Sequence, residues 1–161
     1  MLDFGQRRWG PARLLSRQLG AEVTGVDANA ARCRDAEALT KLTNVDRVEF
    51  LHDDFLKLRV RRGAFDVLWE ESAWNHIADE KLFLERWLPS LRNAGRIACE
   101  DVFFSIISSC TARQRRLLEE LRLIWRVHLL RKSTWVAIVS DLGLKVQVFQ
   151  DLSTEMEMLL S

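Results

Sequence analysis

The chain has 161 residues, of which 48% are hydrophobic and 29% are charged. This length fits one domain with a sizeable core, and the composition is typical of a globular protein and excludes a disordered tail. The formal net charge is only +1, so no overall field draws the chain to nucleic acid or to an anionic membrane. We therefore expect a single domain over residues 1–161, without a nucleic-acid or membrane partner.

The cysteines and the hydropathy of the sequence indicate the cellular compartment. The three cysteines, Cys33, Cys99 and Cys110, are too few and too widely spaced for a disulfide framework or a zinc site, and no metal site is predicted. We expect no signal peptide, because Asp3 and two arginines interrupt the start of the sequence, and the longest apolar run, at 102–107, is too short to cross a bilayer. We expect a cytoplasmic protein, with Cys99 as a small core residue.

Short apolar runs alternate with longer stretches of helical periodicity. Pro11 suits a first helical turn, Gly20 a helix C-cap and Asp79 a helix N-cap. The alternation predicts an α/β fold, a doubly wound and mainly parallel sheet with helices on both faces. In chain order, the predicted elements are a strand at 1–4, a helix at 11–19, a strand at 22–27, a helix at 28–42, strands at 47–55 and 64–71, a helix at 80–91, a strand at 96–104, helices at 112–130 and 133–141, and a strand at 144–152.

Acidic residues mark the ends of four consecutive predicted strands. The carboxyl ends of parallel strands meet at one edge of a sheet, where ligands of such folds bind. A rim of carboxylates at that edge suits a ligand with hydroxyls, amines or positive charge. The acids concerned are Asp27, Asp53 and Asp54, Glu70 and Glu71, and Glu100 and Asp101.

The order and spacing of several segments resemble the class I S-adenosylmethionine-dependent methyltransferases, especially those that modify small molecules. The resemblance covers 1–104 closely and 133–152 more loosely. It implies a Rossmann-like sheet of strand order 3-2-1-4-5-6 without the family's seventh strand, S-adenosylmethionine as cofactor, and a small-molecule methyl acceptor. The segments are MLDFG…GPARLL, GAEVTGVDAN, RVEFLHDDFLKL, AFDVLWEESAWNHI and FLERWLPSLRNAGRIACED.

The resemblance also implies roles for individual residues. Asp27 would accept hydrogen bonds from the ribose hydroxyls, and Asp54 from the adenine amine with Phe55 beside the ring. Gly5 would let the backbone approach the methionine part of the cofactor, and Asp3 would organise that loop. The full set of implied cofactor-binding residues is Asp3, Gly5, Gln6, Asp27, Asp54, Phe55 and Glu70.

Glu71 and His76 are the implied catalytic residues, since each could remove a proton from the acceptor. The predicted helix 112–130 lies where relatives have a lid over the acceptor, with a plain amphipathic helix as the alternative. His128 on that helix could line an acceptor pocket, and Trp74 could either form an aromatic wall or pack internally. Trp69, Trp87 and Trp125 are predicted core residues.

The first loop departs from the family pattern acid–x–Gly–x–Gly–x–Gly. Here Asp3 and Gly5 are followed by Arg7 and Trp9. Glycine provides positive φ or room for a ligand at such positions, and Arg7 would cost of order 1 kcal/mol at positive φ. Weakened cofactor binding is therefore expected, and a catalytically inactive remnant that acts as a binding or dimerising module is the alternative function.

A dinucleotide-binding oxidoreductase is disfavoured, because a full GxGxxG motif is absent and the acids after the third and fourth strands would have no dedicated purpose. The family pattern extends beyond both ends of this sequence, which implies exposed sheet edges and a homodimer through one of them.

Overall fold

The computed structural model describes residues 1–5, 10–103 and 110–153. Gln6, Arg7 and Trp9, on which the predictions for the first loop depend, lie outside the described residues. Among the described residues, no helix is long and apolar enough to cross a membrane.

The chain forms an α/β fold with one five-stranded sheet in the order β3-β2-β1-β4-β5, and every neighbouring pair is parallel. This confirms the predicted fold class and the order of the first five strands. Short 3₁₀ turns at Trp74–His76 and Leu88–Ser90 flank α3. The elements are β1 (Leu2–Phe4), α1 (Gly10–Leu19), β2 (Val23–Asp27), α2 (Ala30–Leu42), β3 (Val48–His52), β4 (Phe65–Glu71), α3 (Glu80–Trp87), β5 (Leu91–Glu100), α4 (Ala112–Trp125) and α5 (Lys132–Asp141).

Short polar side chains begin the helices α2 and α3, and the sequence predicts one of these caps, Asp79. Asp79 accepts a hydrogen bond from the Leu82 N–H at 2.9 Å and caps α3. Asn29 caps α2 in the same way. Gly20 follows α1 with a φ of +65°, which confirms its predicted C-cap role.

The hydrophobic core has two parts, one on each face of the sheet. Residues of α3 and α5 cover one face, where the Phe4 and Trp87 rings meet edge to face with centroids 4.8 Å apart. Residues of α1 and α2, including Ala12 and Ala36, cover the other face. The two layers hold the central strands in register, and so they fix the positions of Gly5, directly after β1, and of the loop that follows β4.

The predicted sixth strand is wrong: residues 144–150 form no strand. A strand needs a neighbour for its backbone N–H and C=O groups. Among the described strands, β5 pairs only with β4, so the segment has no strand beside it. Val146 and Val148, which suggest a buried strand by their alternation, are exposed. The predicted homodimer through a sheet edge remains a prediction.

Two core predictions are also wrong. Cys99 is exposed because β5 is an edge strand of the described sheet. Trp125 is 61% exposed at the end of α4, which has no buried residue. That helix ends five residues earlier than predicted, because Arg126 takes a left-handed conformation with a φ of 53°. By contrast, Trp87 is buried as predicted.

Candidate functional site

Gly5 lies where three loops meet at the carboxyl edge of the sheet. Its φ is +66°, and its N–H donates to the Val26 carbonyl at 2.9 Å. A Cβ atom on this residue would lie 2.9 Å from the Ala73 Cβ and 4.0 Å from the Phe55 ring. Only glycine fits this backbone conformation and this close approach without strain. The loops after β1, β3 and β4 therefore converge here.

Asp27 ends β2 as a buried carboxylate with one oxygen free of hydrogen bonds. Its Oδ1 accepts from the Asn29 N–H at 2.8 Å, whereas Oδ2 has no hydrogen-bond partner and lies 3.6 Å from Arg32 Nη1. Its backbone carbonyl accepts from the Asp53 N–H at 3.2 Å, which ties the loops after β2 and β3 together. The side chain can thus accept hydrogen bonds from a ligand at this edge.

Asp54 and Phe55 form the outer side of the same edge. Asp54 Oδ1 accepts from the Leu56 N–H at 2.9 Å, and Oδ2 lies 3.2 Å from Lys57 Nζ. These two contacts, the Leu56 hydrogen bond first, hold the pKa of Asp54 below its ordinary value. The half-buried Phe55 ring packs edge-on against Phe4, with centroids 6.0 Å apart. The carboxylate therefore orders its own loop as well as facing the edge.

Asp3 and Glu70 are fully buried on the adjacent strands β1 and β4. Neither Asp3 oxygen has a hydrogen-bond partner, and burial raises the pKa of Asp3 to about 8. Glu70 Oε1 accepts from the N–H groups of Ala73 and Trp74, whereas Oε2 has no partner. Burial raises the pKa of Glu70 to about 8 despite these hydrogen bonds. A nearby cation would favour ionisation of both carboxyls.

The two candidate catalytic residues lie close to these acids along the chain. Glu71 ends β4, is half-buried and accepts a hydrogen bond from Trp69 Nε1 at 3.2 Å. His76 is exposed on the 3₁₀ turn, with Nδ1 3.3 Å from the Arg126 carbonyl oxygen. Ser72, between them, has a left-handed φ of 52°, a conformation that turns the chain sharply after β4. Their catalytic roles stay predictions.

A second polar constellation joins the loops after β4 and β5. Asp101 Oδ2 accepts from the Asn75 N–H at 2.9 Å, and Oδ1 accepts from Asn75 Nδ2 at 2.7 Å. Burial raises the pKa of Asp101. The sequence marks Asp101 as a strand-end acid, but nothing in it singles out Asn75 as the partner. In the described residues, no group of His, Cys, Asp and Glu could hold a metal ion.

The arrangement is typical of a class of α/β proteins that bind a ligand at the carboxyl ends of a parallel sheet, with an acid after the second strand. Residues 2–99 match the family described as the methyltransferase domain, and the chain belongs to that family. The family membership and the fold confirm the resemblance to class I methyltransferases.

Individual relatives agree with this assignment. The chain is 30% identical over 102 residues to 2-methyl-6-phytyl-1,4-hydroquinone methyltransferase from Synechocystis, which covers 63% of this chain and 31% of that protein. It is 25% identical over 154 residues to glycine/sarcosine/dimethylglycine N-methyltransferase from Actinopolyspora halophila, covering 95% of this chain and 26% of that protein. The chain thus spans about a third of these curated relatives or less.

A solved structure shares the fold at low sequence identity. Phosphoethanolamine N-methyltransferase 2 from Haemonchus contortus, in complex with S-adenosyl-L-methionine, superposes with a TM-score of 0.84 at 19% identity. The match covers 99% of this chain and 36% of that one. At this identity, the likeness establishes the fold.

Proposed function

We propose that this chain catalyses methyl transfer from S-adenosylmethionine to a small-molecule acceptor. The observation that carries the proposal is the buried Asp27 carboxylate at the carboxyl edge of the sheet, whose Oδ2 has no hydrogen-bond partner. The family membership supports the reaction class. The names of the two curated relatives support a small acceptor, since both act on small molecules.

The described residues fit this cofactor. Asp27 Oδ2 would accept from the ribose hydroxyls, and the half-buried Phe55 ring would lie against the adenine, whose amine would donate to Asp54. Glu70 and Asp3 would face the methionine end, because their unpartnered buried oxygens suit a positively charged group. Backbone groups of the loop that begins at Gly5 and includes Gln6 would also contact the methionine end.

The chemistry asks the protein chiefly for position. S-adenosylmethionine supplies a methyl group that its positively charged sulfur already activates. Holding the acceptor in line with that methyl group provides much of the rate. Glu71 or His76 would take a proton from an acceptor that must lose one.

Isothermal titration calorimetry with S-adenosylmethionine and its demethylated product tests the proposal. We expect micromolar binding, weakened about ten- to hundredfold by Asp27→Ala because hydrogen bonds to a charged group are lost. Asp46→Ala is the matched control, since Asp46 is an exposed acid in the loop before β3, at the opposite edge. Transfer of a labelled methyl group to an acceptor mixture then tests catalysis.

The absence of heat at millimolar cofactor would contradict the proposal and support the inactive remnant. In that case, the double variant Arg7→Gly/Trp9→Gly asks whether the first loop is the cause. Recovered binding would show that the two side chains alone exclude the cofactor, while the rest of the edge is competent.

A further inference from the structure

A small cavity lies next to Glu70, between the loops after β4 and β5. Its lining includes Cys99 and Asp101, and Cys99 is the register partner of Glu70 on the neighbouring strand. Trp74, also in the lining, donates its backbone N–H to Glu70 at 3.0 Å. The cavity holds about 20 Å³, which is room for one group of the size of a water molecule or an ammonium.

Two polar atoms of the lining residues are buried and lack partners. Trp74 is 3% exposed, and its indole Nε1–H donates to no atom. Asn75 is 9% exposed, and its Oδ1 accepts from no atom, although its Nδ2 is held by Asp101. A buried polar atom without a hydrogen bond costs about 1–3 kcal/mol, so a ligand that completes both would be stabilised.

The charged side chains around the cavity favour a positive ligand group. Glu80 is buried at the start of α3, and Asp101, which also lines the cavity, is half-buried. Burial raises the pKa of both carboxyls, and the charge of Asp101 raises that of Glu80 further. No arginine or lysine lines the cavity, and His128 is the one basic side chain among its described lining residues. An anionic group would therefore be rejected here.

Aromatic rings complete the lining. The Trp74 and Trp135 rings lie with centroids 5.5 Å apart, and Phe103 lies 6.3 Å from Trp135. Aromatic faces attract ammonium groups, and they do so more strongly when water is excluded. Carboxylates and aromatic rings around a space of this size are therefore typical of an amine-binding site.

We propose that this cavity binds the amino group of the methyl acceptor, so that the acceptor is a small amine that also carries an oxygen atom. This inference rests on the proposed methyltransferase function. The ammonium would donate to Asn75 Oδ1 and to Glu80 or Asp101. The oxygen of the acceptor would accept from Trp74 Nε1–H.

An ammonium has no lone pair, so the bound group must lose a proton before it reacts. In this cavity the Asp101 carboxylate takes that proton in place of Glu71 or His76, which are not among its lining residues. With S-adenosylmethionine bound, the nitrogen lone pair would form the new N–CH₃ bond while the S–CH₃ bond breaks, and the electrons of that bond would remain on sulfur. Charge and atoms balance, since the sulfonium becomes a thioether and the nitrogen becomes a methylated ammonium.

The test uses three small probes on the whole chain, without cofactor, followed by NMR chemical shifts. The probes are 2-aminoethanol, 1,2-ethanediol, which replaces the amine by a hydroxyl, and ethylamine, which lacks the oxygen. We expect 2-aminoethanol to bind more tightly than either analogue. Equal binding of 2-aminoethanol and 1,2-ethanediol would overturn the inference.

Two variants locate the binding. Glu80→Gln should weaken 2-aminoethanol about tenfold, whereas Glu85→Gln, at an exposed position on the same helix, should leave it unchanged. Trp74→Phe keeps the ring, removes the N–H, and should bring 2-aminoethanol and ethylamine to equal affinity. Unaltered binding in a folded Glu80→Gln or Trp74→Phe variant would contradict the site.

Failure of this inference can be distinguished from failure of the proposed function. A protein that binds S-adenosylmethionine and methylates hydroxyl or carbon acceptors but no amine retains the proposed function and refutes the amine site. A protein that binds 2-aminoethanol through Glu80 but does not bind S-adenosylmethionine refutes the proposed function and supports the amine site.

Discussion

The two sides of the carboxyl edge both carry acidic residues, but the hydrogen bonding, burial and pKa of these residues differ between the sides. On the β2 and β3 side, Asp27 and Asp54 each accept a local backbone hydrogen bond, and the pKa of Asp54 lies below its ordinary value. On the β1 and β4 side, Asp3 and Glu70 are fully buried with unpartnered oxygens, and both pKa values are about 8. Burial and nearby hydrogen-bond donors, and not residue type, decide the protonation of these groups. Some are carboxylates that can accept a hydrogen bond from a ligand, and others stay protonated unless a cation binds beside them.

The largest expected effect on binding and stability comes from a substitution at Gly5, where the two sides of the edge meet. Gly5→Ala places a methyl group at positive φ and 2.9 Å from the Ala73 Cβ, so we expect S-adenosylmethionine binding to be lost and the melting temperature to fall. Gly20→Ala is the matched control, because Gly20 has the same φ, +65°, and no atom within 4 Å of the added carbon.

Strain at positive φ costs about 1–2 kcal/mol in both variants, and overpacking adds about 1–3 kcal/mol only in Gly5→Ala. Thermal unfolding and calorimetric titration measure the two effects. Equal losses in stability, with binding retained in both variants, would show that Gly5 is an ordinary turn residue.

The next prediction concerns the pH dependence of stability, which the protonated carboxyl of Asp3 should affect. The pKa of Asp3 is about 8 in the folded protein, against an ordinary value of 3.8. Between pH 3.8 and pH 8, the folded state therefore binds more protons than the unfolded state. Stability therefore falls as the pH rises from about 4 to about 8. Asp3→Asn removes this loss, so its free energy of unfolding should exceed that of the wild type by roughly 5 kcal/mol at pH 8, but not at pH 4.

Denaturant unfolding across this pH range measures the difference. Asp46→Asn serves as the control, since Asp46 is exposed and its replacement should leave the pH profile unaltered. A stability difference between Asp3→Asn and the wild type that does not vary with pH would contradict a buried protonated carboxyl at position 3.

The smallest effect belongs to the outer side of the edge. Lys57 is highly exposed, and its ion pair with Asp54 at 3.2 Å is screened by solvent. Because the Leu56 N–H holds Asp54 as well, Lys57→Gln should change the free energy of unfolding by less than about 0.5 kcal/mol. Denaturant titration checks this value, and a loss several times larger would mean that the charged side depends on this lysine.

Local patterns predict much of the fold because they coincide with local structure. Asp79 and Gly20 lie at helix ends as predicted, and the buried strands read as short apolar runs. The alternation at Val146 and Val148 gives a strand only if a neighbouring strand pairs with its backbone groups. No local pattern in the sequence shows whether such a neighbour is present. The same limit applies to Cys99, which lies exposed on β5, an edge strand of the described sheet.

The site divides in the same way. Parallel topology alone brings Asp27, Asp54 and Glu70 to one edge, so the acids can be listed from the sequence. The protonation of Asp3 depends on burial between two neighbouring strands, which no spacing reveals. The cavity beside Glu70 is also a tertiary feature, since Asn75 and Glu80 acquire their meaning from the loop after β5.

Counting protons during cofactor binding tests the difference between the two sides most directly. Calorimetric titration at pH 7 in two buffers of different ionisation enthalpy gives the number of protons that the protein releases. If Asp3 and Glu70 ionise beside a cation, the protein releases roughly one proton when it binds S-adenosylmethionine. It releases fewer when it binds the demethylated product, whose sulfur is uncharged. The double variant Asp3→Asn/Glu70→Gln releases none. Binding of S-adenosylmethionine with equal heats in both buffers would contradict the account.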